Sequence, residues 1–279
     1  MPPLSTLFPG LALGLLLGLS IGALLLYRRA RLIRRALTRA AAAERMAEIG
    51  AMTGGLAHEI KNPLSTIGLN AHLLAEAIDD SDLPQADKAP LLARVDSLRR
   101  ETDRLRGILS DFLEFAGQVR LDRKPESINA LLTQLCEFFI PEATRLNIRI
   151  RLDLTDADTT ASVDAPRLKQ ALLNLMLNAV QAMAPGGNPA PAPGELILRT
   201  RRGGEGRVPV LRIHVIDTGP GIAPEVRARI FDPYFTTKAG GSGLGLPTTR
   251  RLIEAHHARL DVHSERGKGS DFCITLMLE

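Results

Sequence analysis

Residues 54–65 read Gly-Gly-Leu-Ala-His-Glu-Ile-Lys-Asn-Pro-Leu-Ser. A histidine with a glutamate directly after it stands inside a long apolar-periodic segment, a nucleophile beside an acid/base partner. A heptad runs through Met46, Ile49, Thr53, Leu56, Ile60, Pro63, Ile67, Asn70, Leu74 and Ala77, in alternating steps of three and four. That is the period of a helix seam packing against other helices. On this register His58 takes the outer f position, facing solvent and free to meet a second domain. By itself, a histidine there reads as an ordinary surface residue of a coiled coil. The rest of the chain must decide.

At 279 residues there is room for about two domains. The mix of 45% hydrophobic and 24% charged residues is globular. The net charge is +4, and much of the basic excess lies between Tyr27 and Arg39, which favours a membrane surface over a nucleic acid. Cys136 and Cys273 are far apart and lack metal-ligand spacing, so no disulfide scaffold is expected and a reducing compartment fits.

Residues 7–26 form an almost unbroken apolar run of membrane-spanning length. Arg28, Arg29, Arg31, Arg34 and Arg35 follow it and no charge precedes it. The positive-inside rule then puts the C-terminal side in the cytoplasm, and the missing basic n-region argues for an anchor over a cleaved signal peptide. Gly10, Gly14, Gly18 and Gly22 recur every four residues, which suits close helix pairing in lipid and is equally met in unpaired membrane helices. So little chain precedes the run that no extracellular sensor domain is expected. Residues 28–50 read as a signalling helix running into the His58 segment and on to about Ile78, with a bend at Pro63. Residues 79–90 read as a loop, and a second amphipathic helix is expected from Leu91 to Ala116. Two helices with apolar seams bury them best as a dimeric four-helix bundle, so residues 51–118 are expected to form a homodimer.

Residues 121–279 change texture. Helices are expected from Ser127 to Thr144, over Ala165–Met183 and near Leu244–His256. Strands are expected at Asn147–Leu154, Glu195–Arg201, Val208–Asp217, 259–264 and 271–278. Together they predict a two-layer α/β sandwich. Asn174 and Asn178 lie one turn apart on an apolar helix; such amides need partners or a cation, and their oxygens suit Mg²⁺, although a structural pair is the commoner case. Asp217 ends a strand and is followed by Gly219 and Gly221, so a flat base could approach the backbone while the carboxylate accepts a hydrogen bond from an exocyclic amine. Next come Phe231, Phe235, Thr237 and Lys238, then Gly241, Gly243, Leu244 and Gly245 opening a helix, a backbone suited to cradling phosphate. The Gly-Lys-Ser/Thr phosphate loop is absent.

As an ordered set these stretches resemble the sensor histidine kinases of bacterial two-component systems, over about residues 45–279. His58 matches the H box, Asn174 and Asn178 the N box, and Asp217-x-Gly-x-Gly the first glycine box. Residues 231–235 match the F box, 241–245 the second glycine box, and Gly267-Lys-Gly-Ser-Asp-Phe the last glycine segment. His-Glu-Ile-Lys-Asn-Pro-Leu and Gly-Leu-Gly-Leu-Pro-Thr-Thr-Arg look closest to the nitrogen-regulation-type subgroup. The resemblance implies a dimeric phosphoacceptor hairpin, a sandwich of the gyrase/Hsp90/kinase type binding ATP and Mg²⁺, and a response-regulator receiver domain as partner. With the anchor read at residues 7–26, a single-pass protein of the bacterial inner membrane with its catalytic part cytoplasmic is expected. His58 would attack the γ-phosphorus with Glu59 as proton partner, and Asn62 matches the position that orients water for dephosphorylating the regulator.

Asn174 stands where related ATPases carry a glutamate, and an amide cannot serve as a base, which favours transfer over hydrolysis. His72 lies on the same face as His58 but has no acidic neighbour after it, so it reads as surface; His214 and His263 read as sheet residues. His256 and His257 stand where His-Gly-Gly is expected. Two rivals are an ATP-binding scaffold without phosphotransfer and a gyrase-like ATPase. The intact His58, Glu59 and both asparagines oppose the first, and Asn174 opposes the second. Neither the stimulus nor the cognate regulator is legible.

Overall fold

The computed structural model describes residues 60–184, 193–206, 208–238 and 241–278. His58, Glu59, the expected membrane segment and the expected signalling helix lie outside them. No helix among the described residues is long and apolar enough to cross a membrane.

Helix α1 (60–79) and helix α2 (Gln85–Ala116) form the expected hairpin. The connection is shorter than the sequence suggested. Pro84 caps α2, and the backbone N–H groups of Asp87 and Lys88 donate to its carbonyl. Pro90 sits inside the helix rather than before it. A proline near a helix start forfeits a single backbone bond, a cost the rest of a 32-residue helix absorbs. Lys88 also donates to the carbonyl of Asp79, closing the turn.

The sandwich follows. Strand β1 (Lys124–Ser127) pairs antiparallel with β3 (Thr160–Val163) in a two-stranded ribbon that was not expected. Ser127 then caps α3 (Ile128–Arg145), its hydroxyl accepting from the N–H of Ala130, as its position before the apolar run implied. The main sheet has the order β2-β4-β5-β7-β6. Its strands are β2 (Ile148–Asp153), β4 (Gly194–Glu205), β5 (Val208–Asp217), β6 (Arg259–Glu265) and β7 (Gly269–Met277). Only β2 and β4 run parallel, joined by a crossover that carries α4 (Ala165–Met183). Strand β4 runs on through Gly203 and Gly204, past Arg201 where the sequence suggested its end.

Alternation fixes which face is inner. Leu211, Ile213 and Val215 of β5 face the core, while His214 points to the other side. Leu168, Leu172, Leu175 and Met176 of α4 are wholly buried against that face. Each such side chain contributes roughly 1.5–3 kcal/mol of transfer free energy, so α4 is held rigidly and with it the asparagines it carries. A four-residue helix, α5 (Pro224–Arg227), and α6 (Gly245–Ala255) complete the layer, α6 packing on α4 and β6.

The other histidines behave as follows. His72 is exposed beside Glu76. His214 and His263 are sheet residues. His256 is buried: its Nδ1 lies 2.7 Å from the carbonyl of Leu252, and its Nε2 accepts from the N–H of Asp164. His257 takes the left-handed conformation, φ 56°, that a glycine would adopt, so the turn forms without glycine.

Candidate functional site

Helix α4 organises the site. Its buried face is apolar, and its opposite edge carries Gln170, Asn174, Asn178 and Gln181 at spacings of four, four and three, along one side of a cleft of about 470 Å³. The two asparagines are linked, the amide of Asn178 donating to Oδ1 of Asn174 at 3.4 Å. Asn174 in turn donates to Oγ1 of Thr249 on α6 at 2.8 Å. A Cβ at Gly245 would lie 2.9 Å from Oδ1 of Asn174, so only glycine lets the start of α6 approach this amide. Oδ1 of Asn178 faces the cleft and accepts from Nζ of Lys238 at 2.7 Å, and Oε1 of Gln181 accepts from the same ammonium at 2.7 Å. Loss of water around that ammonium pulls its pKa below the usual lysine value. Gln181 was missed in the sequence, although its place three residues after Asn178 on the same helix edge was the available signal.

Phe235, Thr237, Gly241 and Gly243 line the same cleft. The N–H of Tyr234 donates to the carbonyl of Gly243 at 3.1 Å, tying the phenylalanine segment to the glycine loop. Arg229 lies 4.2 Å over the Phe235 ring, and Arg250 lies 5.2 Å over that of Phe231. Leu244 is buried and caps α6.

Asp217, Gly219 and Gly221 are not in the lining of this cleft. Gly219 meets the C-terminal end of α4, beyond Gln181, where it sits against Met183 and Ala182. From Asn174 to Ala182 the helix rises roughly 12 Å, a span suited to an extended mononucleotide. Asp217 is buried, which raises its pKa, while hydrogen bonds from the N–H of Gly219 and from Ser270 oppose the rise. The carboxylate is thus held at a strand end with one edge committed to the Gly219 amide at 2.8 Å. Gly221 has φ 70° and passes so close to the Glu265 carbonyl that a Cβ would lie 2.1 Å from it, so this turn requires glycine.

The second wall of the cleft belongs to the hairpin. Arg104, Ile108, Asp111 and Glu114 of α2 face the α4 amides across it. Ser242 of the glycine loop donates to Asp111 at 2.5 Å, and Arg251 of α6 donates to the Gly117 carbonyl at 3.1 Å while lying over Phe115. Burial raises the pKa of Glu114, whose Oε1 has no hydrogen-bond partner. Asn62 is exposed on α1. Among the described residues no group of three or more His, Cys, Asp or Glu side chains could hold a metal. Amide oxygens are the fitting alternative: Lys238 is a cation already seated on two of them, so Asn178 suits a hard cation, whereas the Asn174 amide is spent on Thr249 and Asn178.

Residues 48–117 match the His Kinase A (phospho-acceptor) domain, and residues 163–279 match the histidine kinase-, DNA gyrase B-, and HSP90-like ATPase domain. The chain belongs to the sensor histidine kinases. It is 35% identical to the sensor histidine kinase ZraS of Escherichia coli (strain K12) over 84% of this chain and 46% of ZraS. It is 35% identical to the sensory histidine kinase/phosphatase NtrB of Escherichia coli O157:H7, over 80% of this chain and 60% of NtrB, which agrees with the nitrogen-regulation-type resemblance. The chain thus spans about half the length of the curated relatives it matches. Among solved structures, full-length ShkA in complex with AMPPNP aligns with TM-score 0.64 at 30% identity, over 82% of this chain and 46% of that one. ThkA in complex with the response regulator TrrA aligns with TM-score 0.58 at 26% identity, over 85% and 64%.

Proposed function

We propose that this kinase is anchored in the bacterial inner membrane by residues 7–26, with its catalytic part in the cytoplasm. It phosphorylates His58 from ATP and passes the phosphoryl group to an aspartate of a response-regulator receiver domain. It also dephosphorylates that regulator, with Asn62 orienting the water. The observation that carries the reading is the double wall of the cleft, with the amides, Lys238 and glycine loop of the sandwich on one side and α2, within the phospho-acceptor match, on the other. ShkA binds AMPPNP and ThkA binds TrrA, and both ligand classes suit this chain's two parts.

Asp217 accepts from the adenine amine, and Gly219 and Gly221 let the base lie against the backbone. Thr237, Lys238 and the N–H groups around Gly241, Gly243 and Gly245 receive the phosphates. Asn178, with Asn174 behind it, would hold Mg²⁺, which would supply neutralisation of phosphate charge. Nε2 of His58 attacks the γ-phosphorus, the bond to the bridging oxygen of ADP breaks, and Glu59 takes or orients the proton of the ring. The exposed leucine and isoleucine seam of α1 and α2 is covered by a second copy in a four-helix bundle.

The test is sequential. The chain is incubated with γ-labelled ATP and then offered a panel of receiver domains. Label on the chain that moves to one receiver is expected; nucleotide binding without label on the chain would leave a scaffold instead.

A further inference from the structure

The Lys238 ammonium is bonded to two neutral amides, Oδ1 of Asn178 and Oε1 of Gln181, each at 2.7 Å. No carboxylate among the described residues pairs with it. Both oxygens come from one edge of a rigid helix, so the seat exists before any ligand arrives. The lysine backbone is fixed separately, its N–H donating to Oγ1 of Thr236 at 3.1 Å. The four-carbon stem is therefore a flexible arm on a fixed base. Charge-assisted bonds of this length commit the lone pairs that a divalent cation would need. Mg²⁺ would need the same amide oxygen and would repel a nearby ammonium, so the two cannot share the seat.

We propose that Lys238 is a tethered stand-in for the divalent cation. Its ammonium holds the Asn178–Gln181 seat in the nucleotide-free chain and yields it only when a triphosphate draws the lysine across the cleft. Gln181 is then a positioning residue, because it sets where the lysine rests. The consequence is an order of entry: metal alone is refused, and nucleotide admits it. This rests on the reading of the cleft as a nucleotide and Mg²⁺ site.

The test uses the 279-residue chain and two probes kept apart. Binding of Mn²⁺ alone is followed by electron paramagnetic resonance, and binding of AMPPNP alone by calorimetry in excess chelator. Lys238→Met is expected to tighten Mn²⁺ alone about tenfold and to weaken metal-free AMPPNP about tenfold. Adding Asn178→Ala to it should abolish the gain for Mn²⁺. Gln181→Leu, which leaves the lysine one amide, should tighten metal-free AMPPNP about threefold, a gain that a purely structural glutamine would not give. A lysine that merely contacts phosphate predicts only the loss of AMPPNP affinity. Equal Mn²⁺ affinity in wild type and Lys238→Met, or none detectable in either, overturns the proposal. Failure of the wild type to bind Mg²⁺·AMPPNP overturns the nucleotide reading instead, and is scored in its own titration.

Discussion

The sandwich and the hairpin use the same residue types in opposite ways. Leu172 in α4 is 0% exposed, whereas Leu98 in α2 is 58% exposed. Ile67, Leu74 and Leu105 lie open along with Leu98, and the few side chains the hairpin buries include Ala71, Val95 and Thr102. The sandwich closes its core within one chain. The hairpin presents a seam whose burial must come from outside it. A seam of this kind is inexpensive to alter in a lone chain and costly in an assembly, while a core position is costly in both. The site joins the two: its rigid wall belongs to the sandwich, and its other wall belongs to the part whose stability depends on association.

The sharpest contrast comes from truncating each type of leucine. Leu172→Ala is expected to cost the sandwich roughly 3 kcal/mol, read as a lowered midpoint of its calorimetric transition, with no change in oligomeric state. A second difference is electrostatic. His214 on the outer sheet face has its pKa raised from 6.5 to about 9, chiefly by its hydrogen bond to Asp271. A raised folded-state value means the stabilisation is complete below pH 6.5 and is lost as pH rises through about 9. The sandwich should therefore lose on the order of 2 kcal/mol across that window, and Asp271→Asn should flatten the dependence in urea unfolding. At the junction, Asp111→Ala removes the acceptor of Ser242 and should loosen the docked arrangement by about 1 kcal/mol. Fluorescence transfer between labels on α2 and α6 would report it, and an unchanged distance distribution would mean the bond holds nothing. Leu98→Ala should be the mildest for the chain alone, within about 0.5 kcal/mol, yet should shift sedimentation towards monomer at low concentration. If Leu98→Ala unfolds the hairpin without touching association, the contrast between the two regions is wrong.

Much of this division was legible in the sequence because periodicity reports burial. The heptad seams, the Ser127 cap, the apolar face of α4 and the alternation in β5 all carried their structure locally. The misses were long-range or masked by a breaker. Lys124-Pro-Glu-Ser has no alternating pattern, and its partner Thr160–Val163 lies far along the chain, so the ribbon could not be read. Pro90 looked like a stop but stands inside α2. In the site, glycines and amides betrayed themselves by spacing, including Gln181 had the helix edge been followed one step further. The contact between Asp111 and Ser242 did not, because it joins residues 131 apart and Asp111 belongs to no motif.

In the proposed function the cleft delivers phosphate to a single imidazole, that of His58. The direct measurement is peptide mapping of label after incubation with γ-labelled ATP, in wild type and His58→Gln. Acid-labile, alkali-stable label is expected to be confined to the peptide containing residue 58 and absent from the variant. Equal label in both proteins, or label on another residue, would contradict it.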